Sequence, residues 1–193
     1  VEGMKTISEL LERAAAQAVP VVRGIGDDDL SDATPCSDYD VRALLNHLFG
    51  VIANFRVLAA KEPVDFSRTP DVVEGDWRSR FQDETAHLVK AWAQPGAEEG
   101  VSGGMALPAR TVGLMALGDL TVHAWDLARA TGQDYVPDAE SVAEMEPWLA
   151  EMAPQARKMK VFKEPFPTAP GATAFERVLA GTGRDPGWSP PRR

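Results

Sequence analysis

The chain has 193 residues, 44% of them hydrophobic and 25% charged, the make-up of one globular domain with an ample core. Its 20 basic and 29 acidic side chains leave a formal charge of −9 without any Lys/Arg cluster, which argues against nucleic acid or an anionic membrane as partner. A single cysteine, Cys36, excludes an internal disulfide or a cysteine-rich zinc cluster. No apolar run approaches the roughly 20 residues of a membrane span, and the first residues lack a signal peptide's apolar core, so the cytoplasm is the expected compartment.

Taken in order, Ile7, Leu10, Leu11, Ala14, Ala18 and Val21 or Val22 recur at helical spacing and predict a first helix to about Arg23, stopped by Gly24 and Gly26. Residues 27–38 are polar and hold Thr34-Pro35, so they read as loop, with Asp27-Asp28-Asp29 a solvated run. Asp40 is a good N-cap for a second helix to about Ala60. Its stripe is Val41, Leu44, Leu45, Leu48, Ile52 and Phe55, and His47 sits at the stripe's edge, within reach of a neighbouring helix. Residues 64–75 are irregular. A third helix, capped by Asp76, turns Trp77, Phe81, Leu88, Ala91 and Trp92 inwards and leaves His87 at the surface or rim. Residues 97–110 read as loop or a short strand-like passage before a fourth helix, 111 to about 131. Asp138 caps a fifth helix through Met145, Trp148, Leu149 and Met152, which Pro147 is expected to kink and Pro154 to shorten. Residues 161–171 are extended, and a short last helix, 173–179, precedes Gly181-Thr-Gly-Arg184-Asp-Pro-Gly-Trp188. The whole of 1–193 is therefore a single all-α domain, an antiparallel four-helix bundle with extra short helices and irregular loops.

The fourth helix carries the chemistry. At about 100° per residue, Asp119, His123 and Asp126 share one side with Val112, Met115, Ala116, Leu127 and Ala130, while Thr121 and Ala128 fall on the expected exposed face. Two carboxylates and an imidazole then point into the core, where an ionised group needs a partner. The stripe holds no arginine or lysine, so a metal ion is the favoured partner. Asp119 and His123 stand four residues apart on one helix, and His47 from another completes two histidines and one carboxylate, the open set of a catalytic zinc or non-haem iron site. On spacing alone, a core histidine bonded to Asp119 or Asp126 without metal is equally open. Asp126 is then either that partner or the group that orients a ligand imidazole. Cys36 reads as structural, because Asp38 and Asp40 oppose a thiolate.

Two segments resemble a known family. Thr34-Pro-Cys-Ser-Asp-Tyr-Asp-Val-Arg-Ala-Leu-Leu-Asn-His47 and Asp119-x3-His123-Ala-Trp-Asp126-Leu-Ala-x-Ala-Thr-Gly132 are similar to the two signatures of the DinB-like superfamily, in the branch around mycothiol-dependent maleylpyruvate isomerase. The tail from Arg177 to Trp188 resembles the ending of that branch's small single-domain members. The resemblance implies a four-helix bundle holding a divalent metal, zinc or nickel, by His47, Asp119 and His123. Tyr39 stands where tryptophan is usual, Asp119 where the isomerase has glutamate, and no segment is long enough for the isomerase's arginine-donating C-terminal domain. The implied chemistry is a thiol-dependent, mycothiol-type S-transfer or isomerisation of a small electrophile, with a low-molecular-weight thiol as co-substrate. A non-catalytic metal- or small-ligand-binding domain and a metal-dependent hydrolase are the alternatives, and a homodimer is the alternative to a monomer.

Overall fold

The computed structural model describes residues 3–192. Its helices α1 (Ile7–Arg23), α2 (Val41–Ala59), α3 (Trp77–Trp92) and α4 (Ala109–Ala130) pack α1 on α3, α3 on α2, α2 on α4 and α4 back on α1. That ring is the expected all-α, antiparallel four-helix bundle. A two-residue hairpin, β1 (Val101–Ser102) with β2 (Leu107–Pro108), leads into α4. Helix α5 (Ala139–Lys158) lies against α4, and α6 (Ala174–Gly181) lies against α5.

Local chemistry sets the helix starts. Thr6 and Glu9 form a reciprocal capping box on α1. The Ile7 N–H also donates to Glu98 at 2.9 Å, and Arg110 at the head of α4 donates to the same carboxylate at 2.6 Å. Asp40 and Asp138 cap α2 and α5 as expected, whereas the Asp76 side chain makes no cap bond to α3. The three aspartates at 27–29 form a 3-10 turn, in which Asp29 accepts from the Gly26 N–H and Asp27 pairs with Arg78.

Helix α4 corrects the sequence reading. Thr121 and Ala128, the expected exposed face, are each only 1% exposed. With α1 and α2 on its bundle flanks and α5 across another side, the helix has almost no direction left that faces water. Gly113 permits that closeness to α1, since a Cβ there would stand 2.7 Å from Ile7 Cγ1. The prolines are a second correction. Helix α5 continues past Pro147 and Pro154 to Lys158, so neither proline ends it. Both are exposed, and the carbonyls they free, of Ala143 and Ala150, belong to exposed residues that water can satisfy.

By length and mean hydropathy α2 is long enough to cross a bilayer, contrary to the sequence reading, and 56% of its apolar window is buried inside the bundle. That burial is the signature of a core helix.

Candidate metal centre

The loop before α2 folds back on itself to aim the first ligand candidate. Thr34 Oγ1 donates to the carbonyls of Cys36 and Tyr39 at 2.9 and 2.8 Å, and the Tyr39 N–H closes a turn on the Cys36 carbonyl. Tyr39 is thereby laid flat on His47, with ring centroids 5.1 Å apart and planes 21° off parallel. The His47 ring in turn meets His123 edge-on at 5.0 Å.

His47, Asp119 and His123 each present one donor atom, and the three atoms lie within 4.8 Å of one another. The His123 Nε2 stands 3.6 Å from Asp119 Oδ1, too long for a hydrogen bond. Among the described residues no hydrogen bond reaches the His47 ring nitrogens or the Asp119 carboxylate. Burial, aided by the charges of His123 and Arg184, lowers the His47 pKa to about 4, which keeps its lone pair free at neutral pH. Burial raises the Asp119 carboxyl, against the pull of His123 and Arg184. Its side chain keeps 37% of its surface accessible, on the lining of the adjoining cavity. Two imidazoles and a carboxylate, each turning one free donor atom to a common point, are the donor set of a divalent ion, and the residues fit such an ion.

Asp126 has a different fate. It is fully buried, and its Oδ2 lies 3.0 Å from His123 Nδ1, which holds the imidazole with Nε2 towards Asp119. Arg184 then grips the same carboxylate with two prongs, Nε to Oδ1 at 2.7 Å and Nη2 to Oδ2 at 2.8 Å. Burial alone would raise the Asp126 carboxyl, but the Arg184 charge and the bonds from His123 and Arg184 outweigh it and hold it below the usual carboxylate range. The orienting role open to Asp126 at sequence level is the one its geometry provides. The expectation that a metal ion is the favoured partner of the buried acids is corrected for Asp126, because Arg184 satisfies it. Nothing in helical spacing pointed to Arg184; the available signal was its place in the tail segment, next to a surplus buried acid.

Cys36, His123 and Asp126 form a second cluster within 4.8 Å. Its histidine nitrogen and carboxylate are already bonded to each other and to a guanidinium, so it is the poorer cation site. The Cys36 thiol is pushed up to about 11, chiefly by burial, with Asp126 and Asp38 adding to it and Asp40 taking no part. His87 is exposed beside Glu84, as expected. Trp125 is buried packing, with Arg129 5.5 Å over its ring. A cavity of about 410 Å³ opens beside the triad, walled by α2, α4, α5 and the segments around Phe66 and Lys163.

The mycothiol maleylpyruvate isomerase N-terminal domain family matches residues 11–128, more than half the chain, and the match spans all three converging donors. Two uncharacterised proteins of Mycobacterium tuberculosis, from the CDC 1551 and H37Rv strains, are each 30% identical over 138 residues, covering 69% of this chain and 71% of theirs. No solved structure matches the chain.

Proposed function

The chain belongs to the mycothiol maleylpyruvate isomerase N-terminal domain family, and on that premise we propose that it holds a divalent ion, zinc or nickel, at His47, Asp119 and His123 and uses it in thiol-dependent S-transfer to, or isomerisation of, a small electrophile. The observation that carries the proposal is the convergence of three unpartnered donor atoms on the wall of an open cavity. When bound, such an ion lowers the pKa of a thiol that joins it and supplies thiolate at neutral pH. The protein's own groups do the rest. Asp126 fixes the His123 ring, Tyr39 fixes that of His47, and the apolar part of the cavity wall gives the electrophile a surface to lie against. The thiol proton leaves to solvent, a C–S bond forms, and either a leaving group departs with its electron pair or the sulfur is expelled again after rotation about the former double bond.

A closed, four-donor structural site is the rival reading. Against it stands the engagement of Asp126 with His123 Nδ1 and Arg184, which leaves three protein donors and an open side.

The test is elemental analysis of purified wild type and His123→Ala, followed by consumption of chlorodinitrobenzene with thiol and metal supplied singly and together. Stoichiometric metal in wild type alone, and turnover only with both additions, is the expected result. Absence of bound metal in wild type removes the proposal, and a rate indifferent to thiol redirects it to hydrolysis.

A further inference from the structure

The cavity beside the triad has an apolar wall and one idle cation that thiol activation does not require. Phe55, Met115 and Trp148 form the wall. Phe66 stands at its edge with 60% of its surface exposed, its ring 6.5 Å from that of Phe55, and Val161, which also lines the cavity, is 65% exposed. Large apolar side chains left in water beside a concave apolar wall mark a surface that another apolar body covers.

Three cations line the same cavity, and two are engaged. Arg184 holds Asp126, while Lys163 bonds Ser37 and Asp38. Lys160 makes no ion pair with any described residue. Its backbone is also unusual. Helix α5 ends in a motif where the Lys160 N–H donates to the Arg157 carbonyl at 2.9 Å and the Val161 N–H to the Ala156 carbonyl at 2.8 Å. The residue at the turn of that motif is ordinarily glycine, because φ is positive there. Here it is Lys160, with φ of 58°. Lys61 ends α2 in the same motif with φ of 64°, so what sets Lys160 apart is its unpaired cation on the cavity's lining.

We propose that the guest of this cavity is a flat apolar molecule, aromatic or conjugated, that carries a carboxylate: its apolar body lies against Phe55, Phe66 and Trp148, and its carboxylate sits at Lys160. Calling this guest the electrophile rests on the thiol chemistry proposed above; its shape and charge rest on the cavity alone.

The test is equilibrium binding of naphthoate and of naphthylmethanol to the full chain, with and without added zinc, followed by the quenching of tryptophan fluorescence. Naphthoate is expected to bind about tenfold tighter than the alcohol whether or not zinc is present. Lys160→Met and Lys160→Gly erase that preference and Lys160→Arg keeps it. Lys160→Gly also relieves the backbone and raises Tm by roughly 2–4 °C, so its lost preference cannot be a folding defect. A preference that survives Lys160→Gly overturns the assignment, as does one that requires zinc or a failure of naphthoate to bind. The titrations contain no thiol, so an inactive transferase would sink the thiol chemistry and leave the carboxylate assignment standing.

Discussion

Arg184 and Asp126, 58 residues apart in the chain, meet in a two-pronged ion pair whose carboxylate is fully buried. Removing one side of such a pair strands the other charge. Arg184→Met is therefore expected to lower stability by about 3–5 kcal/mol, read from urea unfolding. Adding Asp126→Leu removes the stranded acid and recovers part of that loss. A double variant no more stable than the single one would show that the pair is not the cause.

His47 and Asp126 give the stability of the metal-free protein two successive pH windows. His47 has a folded pKa of about 4, depressed from 6.5 chiefly by burial. Between those values the unfolded chain binds the extra proton, so stability falls as pH drops from about 6.5 to about 4. The Asp126 carboxyl is depressed below an unfolded value of about 3.9. Its contribution is complete above that value and disappears as pH falls through the folded one. Chelator-treated His47→Gln is expected to lose the first slope and keep the second, and urea midpoints measured from pH 7 to pH 3 check it.

Asp119 carries opposite signs in the two forms of the protein. Without metal it is a carboxylate with no hydrogen bond to a described residue, its pKa raised chiefly by burial, so Asp119→Asn should leave the chelated protein slightly more stable. With zinc in excess the order reverses. Wild type gains stability in proportion to the logarithm of metal concentration, about 2.7 kcal/mol at a hundredfold excess over Kd, while the variant gains none. Thermal melts with and without zinc read both signs.

Gly113 faces Ile7 across the α1–α4 crossing. Alanine is the better helix former by about 1 kcal/mol, yet its Cβ would meet Ile7 Cγ1 and Cγ2 at 2.7 and 2.8 Å, and Ile7 is fully buried with nowhere to move. Overpacking of this kind costs about 1–3 kcal/mol. Gly113→Ala should therefore be destabilising, and Ile7→Ala in the same chain should relieve the clash while opening space of its own. Urea midpoints of wild type and the two variants decide it.

Much of this was legible before any coordinates. Helix α1 has the bounds its apolar spacing implies, and α2 needed only Asp40 and its stripe. The gathering of His47, Asp119 and His123 followed from helical phase plus the assumption of one shared core. Three features escaped. Periodicity presumes a wet side and a dry side, and α4 has hardly any wet side because other helices surround it. Proline rules presume that a freed carbonyl goes unsatisfied, and those of Ala143 and Ala150 lie at exposed residues. Arg184 lies on a tail whose path depends on where α5 and α6 dock, and no local pattern encodes that docking.

The family match ends at residue 128, but the guanidinium that neutralises Asp126 arrives at residue 184. A fragment excised at the match boundary would keep every ligand candidate and still be crippled, with a bare anion locked behind His123. Grafting this centre into another bundle, or swapping segments between relatives, must therefore move the distal tail together with the signature helices. The inheritable unit of the site is longer than the motif by which it is recognised.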